Sequence, residues 1–475
     1  MKIHLIGICG TGMASLAGML KASGHEVQGS DQNVYPPMST ILEQAGIPIF
    51  SPYNAAHLKS PPDLVVVGNA ISRGNPEAEE VLAKNIPHVS MPQALSRFFL
   101  EGKTPLVVAG THGKTTTASL LAWVLESAGK DPSFFIGGLP KNFGTNFKLG
   151  KGEYFVLEGD EYDTAFFDKG PKFLHYRPRH VLLTSVEFDH ADIYTDLEHV
   201  KSAFRRLLGI IPAEGSLVAN LDFPVVAEVA GDFPHRLITY AMRPDLHERA
   251  DYFGEILATG ERTSFCVVSR EHGKECCHHE VSWEMPGAHN ASNALGVVAL
   301  CLHLGLSWEE IRRGLASFQG VKRRQDVLGE LAGVLVIDDF AHHPTAVKET
   351  IAAVRKKYPG RRLWAVFEPR SNSSKRDVFQ EDYPAGFAEA DRVLLADVFM
   401  PEKVKSGKVL DVDAVAAAIN RAAPEPKARH VSGVEAMVAA LAEESRPGDV
   451  LLFMSNGGFG GIHQRILQAL RNKTT

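Results

Sequence analysis

The chain has 475 residues, of which 44% are hydrophobic and 22% charged, the composition of an ordinary globular protein. Because this length exceeds what one hydrophobic core usually supports, we expect about three domains. The formal net charge of −6 gives no general attraction for nucleic acid or an anionic membrane. No stretch approaches the roughly 18 apolar residues of a membrane span, and five irregularly spaced cysteines argue against a disulfide framework. We therefore expect a cytoplasmic protein that binds neither nucleic acid nor membrane.

The N-terminal part of the chain alternates between predicted strands and helices. Apolar runs predict strands at 3–8 and 63–70, and helices are expected over 13–22 and 76–84. This alternation is typical of a parallel, doubly wound sheet. We expect a Rossmann-like domain over residues 1–99.

The alternation restarts twice further along the chain. Apolar runs at 105–110, 154–161 and 180–190 predict buried strands of a central ATPase-type α/β domain, placed at 100–322. Within it, RLITYAM, YFGEILATG and TSFCVVSR predict short strands on an antiparallel edge. A third α/β unit, also Rossmann-like, is expected over 323–475.

Residues 110–117 read GTHGKTTT and lie between a predicted strand and a predicted helix. In a phosphate-binding loop, backbone N–H groups surround the phosphates, a lysine contacts the outer phosphates and the next hydroxyl residue reaches magnesium. Val108 stands where the general pattern has its first glycine, so the glycine spacing is shorter here. Because the strand and helix supply the required context, we expect Lys114 and Thr115 to bind ATP and its magnesium.

A second glycine turn, GICGTGM, begins at residue 7. A dinucleotide fingerprint has glycines at its first, third and sixth places, which here are Gly7, Cys9 and Gly12, while Gly10 is displaced by one. Asp31, after the next strand, is placed to bind a ribose hydroxyl. The turn predicts a diphosphate ligand, with a plain structural turn as the alternative. By itself it also fits a nicotinamide-dependent dehydrogenase.

Acidic and imidazole side chains follow two predicted strands of the central domain. EGDE places Glu158, Asp160 and Glu161 at one strand end, and FDH places Asp189 and His190 at another. Carboxylate oxygens suit magnesium, and an imidazole can complete or orient its ligand shell. Since ligands bind at the carboxyl ends of parallel strands, we expect a magnesium site here, with a solvated acidic loop as the alternative.

Two further histidine-containing segments resemble sites. CCHH at 276–279 lacks a partner pair at zinc-like spacing, and adjacent ligands strain one tetrahedron, so we expect a structural hairpin. In DDFAHHP, Asp339 ends a predicted strand. His342 and His343 are interpreted either as a ligand pair at the edge of an active site or as the cap of a helix that begins near Pro344.

The motifs GTHGKTTT, EGDE, FDH, GAHNASNA, KRRQD and DDFAHHP, in this order, resemble those of the Mur ligase family of peptidoglycan enzymes. The resemblance covers nearly the whole chain. It implies three domains: one for a UDP-sugar, a central ATPase, and a mobile C-terminal domain that closes on ATP and binds the incoming peptide. GICGTGM is similar to the branch that acts on UDP-N-acetylmuramate and L-alanine. SDQNVYPPMST and EPRSN resemble the branch that rejoins the salvaged tripeptide L-alanyl-γ-D-glutamyl-meso-diaminopimelate to UDP-N-acetylmuramate in peptidoglycan recycling.

The resemblance implies an ATP-dependent, ADP-forming amide ligase with two magnesium ions. In such an enzyme ATP phosphorylates the muramoyl carboxylate, and the peptide amine displaces phosphate from the resulting acyl phosphate. A ligase for L-alanine is the alternative within the family. From a different class, the alternative is a nicotinamide-dependent dehydrogenase or a nucleotide-sensing protein.

The functional positions of the family are carried over one residue at a time. Lys114, Glu161 and His190 match its catalytic positions, and Thr115, Glu161 and His190 its metal ligands. The residues expected to bind ATP are Gly110, Thr111, His112, Gly113, Lys114, Thr115, Thr116, Asn290, Asn293, Arg324 and Asp339. The residues expected to bind the UDP-sugar are Gly7, Gly10, Thr11, Gly12, Met13 and Asp31.

Two departures and one further hypothesis concern individual residues. Ser185 stands where relatives carry Asn, so the resemblance leaves one site contact unassigned. Phe204 stands where several branches place a lysine that becomes carbamoylated, and the L-alanine branch is also apolar there. From their charge and position in EPRSNSSKR, Arg370 and Lys375 are expected to bind tripeptide carboxylates.

Overall fold

The structure is a computed structural model that describes residues 1–35, 38–260, 262–271, 274–404 and 407–473. The chain forms three successive units, each built on a sheet with apolar clusters on both faces. This arrangement confirms the predicted α/β class. The boundaries drawn at 99/100 and 322/323 stay predictions. None of the helices in the described ranges is long and apolar enough to cross a membrane.

In its described residues the first unit contains five strands and four α-helices. They are β1 (Lys2–Ile6), α1 (Thr11–Ala22), β2 (Glu26–Ser30), α2 (Met38–Gln44), β3 (Ile49–Phe50), β4 (Leu64–Val67), α3 (Pro76–Ala83), β5 (His88–Ser90) and α4 (Met91–Leu95). The sheet has the order β3-β2-β1-β4-β5, and its strands are all parallel. The chain order reverses at β1, whose neighbours are β2 and β4. The glycine turn that follows β1 therefore lies at the switch point, where doubly wound sheets bind their ligands.

The central unit is built on a mixed sheet of ten strands. Its elements are β6 (Thr104–Ala109), α5 (Lys114–Ser127), β7 (Ser133–Phe135), β8 (Phe147–Lys148), β9 (Tyr154–Gly159), β10 (Asp163–Ala165), β11 (Asp168–Pro171), β12 (His180–Leu183), α6 (Leu197–Leu208), β13 (Ser216–Asn220), α7 (Pro224–Ala230), β14 (Arg236–Ala241), β15 (Tyr252–Ala258), β16 (Thr263–Glu271), β17 (Lys274–Trp283), α8 (Ala288–His303) and α9 (Trp308–Ser317). The order is β17-β16-β15-β14-β13-β12-β6-β9-β7-β8, while β10 and β11 pair separately.

The antiparallel edge of the central sheet is shorter than predicted. YFGEILATG and TSFCVVSR supply β15 and β16, which pair antiparallel with each other. RLITYAM, however, supplies β14, which pairs in parallel with both β13 and β15, so that part of the prediction is wrong. The reason is that α7 forms the crossover that returns the chain parallel to β13. The CCHH backbone lies in the hairpin strand β17, as predicted, but the side chains of 276–278 lie outside the described part.

The hairpin of β10 and β11 extends from the central unit to the first unit. Phe166 and Phe167 at its turn pack against the apolar cluster of the first unit. The Ser90 hydroxyl donates a 2.9 Å hydrogen bond to the carboxylate of Asp168. The hairpin thus connects the unit of the first glycine turn to the unit of the second.

The third unit contains a six-stranded sheet. Its elements are β18 (Asp326–Leu331), β19 (Val334–Asp339), α10 (Pro344–Lys357), β20 (Leu363–Phe367), α11 (Tyr383–Gly386), β21 (Arg392–Leu395), α12 (Val412–Ala422), β22 (Ala428–His430), α13 (Val434–Glu444), β23 (Val450–Met454) and α14 (Ile462–Asn472). The order is β18-β19-β23-β20-β21-β22, with only β18 antiparallel to its neighbour. The sequence pattern does not predict β18, because only one of its six residues is buried and it lacks an apolar run.

Candidate active site

The glycine loop connects β6 to α5 and needs its glycines for two reasons. Gly110 and Gly113 have φ values of +136° and +79°, which residues with side chains rarely adopt. A Cβ on Gly110 would lie 2.3 Å from the Thr184 hydroxyl oxygen, and one on Gly113 would lie 2.7 Å from Oδ1 of Asn293. The loop is therefore packed tightly between the end of β12 and the first turns of α8. This packing brings Asn293 to the loop, and its contact with ATP stays a prediction.

Lys114 begins α5 and its ammonium group turns back over the loop. Its Nζ donates to the Gly110 carbonyl at 2.6 Å and to Oε2 of Glu161 at 2.8 Å. Burial lowers the pKa of Lys114, but the charges of Glu161 and Asp160 outweigh it, so that the pKa is raised. A positively charged ammonium group thus lies over the glycine loop, the place that the lysine takes in a phosphate-binding loop.

Thr115 lies between a buried carboxylate and a guanidinium group. Its hydroxyl donates to Oε2 of Glu158 at 3.1 Å, and Nη2 of Arg324 lies 3.4 Å from the same hydroxyl. The other carboxylate oxygen of Glu158 accepts from the Gly137 N–H at 2.8 Å. Burial and the charge of Asp160 raise the pKa of Glu158. Thr115 and Glu158 together offer the oxygen ligands that magnesium prefers.

Glu158 is the residue that the carried-over ligand set omits. In the sequence, Glu158 belongs to the acidic cluster, whereas the family resemblance implies Glu161 as the metal ligand. The structure places Glu158 beside Thr115, whereas Glu161 contacts Lys114 and His190. The sequence alone does not separate the two carboxylates: Glu158 lies inside β9, next to β6 in the sheet, while Glu161 follows the strand end.

His190 forms an ion pair with Glu161 in a strained backbone conformation. Nε2 of His190 is 3.4 Å from Oε1 of Glu161, and its φ is +53°. Burial lowers the pKa of His190, but the hydrogen bond and charge of Glu161 outweigh it and raise the pKa to about 9. Burial likewise opposes ionisation of Glu161, yet Lys114 and His190 lower its pKa to about 2. The predicted catalytic set of Lys114, Glu161 and His190 is thus one connected network of charges.

Ser185 connects the glycine loop to the end of β12. Its hydroxyl accepts from the His112 N–H at 2.8 Å, and its carbonyl accepts from the Thr111 N–H at 3.0 Å. The position at which relatives carry Asn therefore still supplies a hydrogen bond, and the bond goes to the loop itself. Thr116, also predicted to bind ATP, lies buried in the first turn of α5.

The junction between the central and third units brings Arg324 to the glycine loop. Its guanidinium group lies over the ring of Phe340, 4.6 Å from the ring centroid. Asp339 is buried nearby and accepts from the backbone N–H groups of Gln325 and Ala341 at 2.7 and 2.8 Å. Asp339 therefore fixes the backbone beside Arg324, and its predicted contact with the nucleotide stays a prediction.

Asn290 is buried and donates to the Pro286 carbonyl at 2.7 Å.

Both interpretations of the two histidines fit the structure. Nδ1 of His343 accepts from the Thr345 N–H at 3.2 Å, so His343 caps α10. At the same time, its ring lies 4.6 Å from that of His112 in the glycine loop. Nε2 of His342 lies 3.9 Å from the carboxylate of Asp189. The DDFAHHP turn is therefore a helix cap and also part of the site.

The first glycine turn is fixed by backbone hydrogen bonds. Gly7 has a φ of +84°, and its N–H donates to the Ser30 carbonyl at 2.8 Å. The two carboxylate oxygens of Asp31 accept from the N–H groups of Cys9 and Asn33 at 2.9 and 3.0 Å. The remaining residues of the predicted set lie at the start of α1: Gly10 as its N-cap, then Thr11, Gly12 and Met13. The N-terminus of a helix at the end of a strand is an anion-binding arrangement, and Asp31 holds the turn in shape.

The EPRSNSSKR segment lies against the loop that carries His190. The hydroxyl of Ser373 donates to Asp189 at 2.6 Å and accepts from the Ala191 N–H at 3.1 Å. Arg370 stacks on the ring of Phe399, 3.6 Å from its centroid. Burial, together with nearby Lys403, lowers the pKa of Lys375. The predicted peptide residues are thus close to the site in the fold, though their role stays a prediction.

A cavity of about 290 Å³ lies at the same junction. Its walls come from the segment after FDH and from the third unit: Phe188, Ala191, Asp192, Ile193, Tyr194, Thr195, Arg376, Val378 and Gly407. Arg376 donates to the Ala191 carbonyl at 2.7 Å, and Asn372 donates to Asp192 at 2.7 Å. The cavity therefore offers both a cationic and an acidic wall beside the His190 loop.

Comparison with known proteins identifies relatives along the whole chain. Three domain families match in succession: "Mur ligase family, catalytic domain" at 2–102, "Mur ligase middle domain" at 108–301, and "Mur ligase, glutamate ligase domain" at 323–457. The chain is 42% identical to the UDP-N-acetylmuramate–L-alanyl-γ-D-glutamyl-meso-2,6-diaminoheptandioate ligase of Escherichia coli (strain K12), covering 100% of this chain and 99% of that protein. It is 35% identical to the UDP-N-acetylmuramate–L-alanine ligase of Desulforamulus reducens, covering 99% and 98%. A solved murein peptide ligase from Psychrobacter arcticus is 37% identical, with a TM-score of 0.74 and 99% of each chain covered.

Proposed function

The chain belongs to the Mur ligase family, and from this premise we propose that it joins L-alanyl-γ-D-glutamyl-meso-diaminopimelate to UDP-N-acetylmuramate with cleavage of ATP to ADP and phosphate. The observation that carries the proposal is the 42% identity, over the full length of both chains, to a relative named for this tripeptide reaction. Identity to the relative named for L-alanine is lower, at 35%. The tripeptide reaction is therefore preferred to its alternative within the family.

The two glycine turns divide the nucleotides between them. The turn at the start of α1 binds the diphosphate of the sugar nucleotide through helix N–H groups. The loop at the start of α5 binds the phosphates of ATP, where Lys114 neutralises the outer ones. The γ-phosphoryl group passes to the muramoyl carboxylate, and the peptide amine then forms the amide bond as phosphate leaves. Because phosphoryl transfer depends mainly on positioning and charge neutralisation, the charged network around Lys114 is the catalytic part of the molecule.

Enzymes of this family use ATP with magnesium, and the donor set of the site fits that ion. The hydroxyl of Thr115 and the carboxylate of Glu158 are 3.1 Å apart, next to the loop that would bind the phosphates. They would hold one magnesium ion, and Glu161 with His190 would hold a second. Magnesium supplies charge neutralisation for the phosphates. Since an imidazole must be deprotonated to bind a metal, loading at His190 releases a proton.

The third unit contributes side chains to the site from the side that faces the glycine loop. Arg324 reaches the Thr115 hydroxyl and DDFAHHP contacts the glycine loop, so the junction covers the phosphates. Excluding water from this site protects the acyl phosphate against hydrolysis. The tripeptide has three carboxylates where L-alanine has one. Arg370 and Lys375 are the cations of the third unit that we assign to them.

The test of the proposed function is the dependence of ADP release on the amine substrate. With UDP-N-acetylmuramate, ATP and magnesium present, we expect rapid ADP release with the tripeptide and slow release with L-alanine. Preference for L-alanine would assign the chain to the other branch. A fluorescence change with NADH, and no ADP release with either amine, would instead support the dehydrogenase alternative.

The assignment of Arg370 is tested separately. Arg370→Ala removes a guanidinium group assigned to a carboxylate, and we expect KM for the tripeptide to rise about tenfold while KM for ATP is unchanged. An unchanged tripeptide KM would remove Arg370 from the peptide site. Arg392→Ala is the matched control, because this arginine of the same unit lies at the start of β21, away from EPRSNSSKR.

A further inference from the structure

A second set of ligand-type side chains lies beside the proposed magnesium site. It consists of His112, Glu187 and His343, which we name the junction cluster. Nε2 of His112 lies 2.6 Å from Oε2 of Glu187, and Nδ1 of His343 lies 3.8 Å from the same oxygen. Their ligand atoms all lie within 4.8 Å of one another. Across the described ranges of the chain, no other group of three or more such side chains meets this distance.

We propose that the junction cluster binds a transition divalent cation, with Zn²⁺ as the ion that fits best. Two imidazoles and one carboxylate form a ligand set that zinc accepts, leaving a fourth position for water or another ligand. Magnesium prefers an octahedral shell of hard oxygens, which two imidazoles do not provide. The cluster therefore differs in chemistry from the pair of Thr115 and Glu158.

The surroundings of His343 are those of a metal-binding imidazole. Its other ring nitrogen, Nε2, donates to the Phe188 carbonyl at 3.2 Å. Ligating histidines almost always donate their second N–H in this way, which fixes the ring and directs the free nitrogen at the ion. In the structure the remaining ring nitrogen, Nδ1, accepts the 3.2 Å cap hydrogen bond from the Thr345 N–H. Ligation replaces that bond with a stronger one.

The backbone around the other two ligands is also fixed. The Glu187 N–H donates to the hydroxyl of Thr111 at 2.9 Å, and the His112 N–H donates to Ser185 at 2.8 Å. Both ligands are therefore fixed by hydrogen bonds that do not use their side chains. His112 and Glu187 belong to the central unit and His343 to the third. A bound cation consequently favours the arrangement in which these two units are in contact.

The test is equilibrium binding of Zn²⁺ and Co²⁺ to the intact chain in the presence of excess magnesium. We expect one site per chain for Zn²⁺ by calorimetry. Co²⁺ should give the intense visible absorption of a four- or five-coordinate ion and should be displaced by Zn²⁺. His343→Asn keeps a helix-capping side chain but not the imidazole, and Glu187→Gln keeps a hydrogen-bonding group but not the charge. Each should weaken the site at least tenfold, since losing even an outer partner of a ligand has that effect.

The matched control is His430→Asn. His430 also pairs with carboxylates, at 3.0 Å from Asp397 and 3.2 Å from Asp413, but through its two different nitrogens, so these groups do not converge on one point. We expect this variant to bind one Zn²⁺ with unchanged affinity. Absence of any tight site in the wild-type chain would overturn the proposal. So would equal Zn²⁺ binding by the wild type and both cluster variants, because the ion would then lie elsewhere.

Discussion

The chain contains two glycine turns between a strand and a helix, and they differ in what surrounds the start of the helix. The first turn is fixed by the carboxylate of Asp31, which accepts two backbone hydrogen bonds. The second is surrounded by charged side chains that face the ligand position: Lys114, Glu158, Glu161, His190 and Arg324. Under the proposed function, similar backbone geometry serves two purposes: the first turn would hold a substrate still, whereas the second would also provide the charges that phosphoryl transfer requires.

Removing the central charge of the second loop should have the largest effect on activity. Lys114→Ala leaves the loop backbone in place but removes the ammonium group, and we expect kcat to fall about 10³-fold. Binding of UDP-N-acetylmuramate, measured by calorimetry, should be unchanged because the first turn is untouched. If the variant lost affinity for the sugar nucleotide to the same extent, the division between the two turns would be wrong.

A matched pair of glycine substitutions compares the two turns directly. In Gly110→Ala the new Cβ would lie 2.3 Å from the Thr184 hydroxyl oxygen, and in Gly7→Ala it would lie 3.4 Å from Ile71. We expect Gly110→Ala to raise KM for ATP by about 10²-fold. Gly7→Ala should raise KM for UDP-N-acetylmuramate by about tenfold, from the positive φ alone. Steady-state kinetics with each substrate varied will separate the two, and an effect of Gly7→Ala on the ATP KM would contradict the account.

The first and central units also differ in the role of a buried carboxylate: Glu161 of the central unit belongs to the proposed catalytic network, whereas Glu77 of the first unit is expected to stabilise the fold. Glu77 of the first unit is fully buried, and burial raises its pKa, but hydrogen bonds from His4, Ser30 and His57 outweigh this and lower it to about 2. Because the pKa is lower in the folded chain, the stabilisation is present above about pH 4.5 and is lost as the pH falls towards 2. We expect the urea midpoint of Glu77→Gln to depend less on pH over this range. A pH dependence equal to that of the wild type would show that Glu77 does not stabilise the first unit. Ligase activity at neutral pH should be unaffected.

The smallest effect is expected at Ser185. Ser185→Ala removes the hydroxyl that accepts from the His112 N–H, a hydrogen bond worth about 1 kcal/mol. We therefore expect KM for ATP to rise about fivefold with kcat nearly unchanged. Ser185→Asn, which restores the residue expected from relatives, should recover ATP affinity if the amide oxygen reaches the same N–H group. A kcat loss as large as that of Lys114→Ala would mean that Ser185 contacts reacting groups.

Sequence analysis predicted the parts of the fold that depend on local pattern. The strand, glycine loop and helix at 105–127 follow from an apolar run, glycines and a helical segment, and the structure has them in that order. The pattern did not predict β18, because only one of its six residues is buried and an apolar run is absent. It also placed β14 on an antiparallel edge, since strand direction depends on the α7 crossover and not on the strand's own residues.

Within the site, the positions of the motifs in the sequence predicted the strand ends but not which side chains contact each other. EGDE marks one carboxyl end, yet the sequence does not tell which carboxylate meets Thr115 and which meets His190. That choice depends on where β9 ends and on how the following turn packs. The junction cluster could not be predicted from the sequence either, because its three members are separated by 75 and 156 residues along the chain. His112 and Glu187 meet inside the central unit, and the contact between the central and third units brings His343 to them.

The central claim is that ATP held by the second loop activates the carboxylate of the sugar nucleotide held by the first. The most direct measurement uses UDP-N-acetylmuramate in which both oxygens of the lactyl carboxylate are a heavy isotope, with ATP and the tripeptide. Mass analysis of the released phosphate should find one heavy oxygen atom, transferred as the acyl phosphate breaks down. Phosphate without the label, formed while the amide product accumulates, would contradict the account.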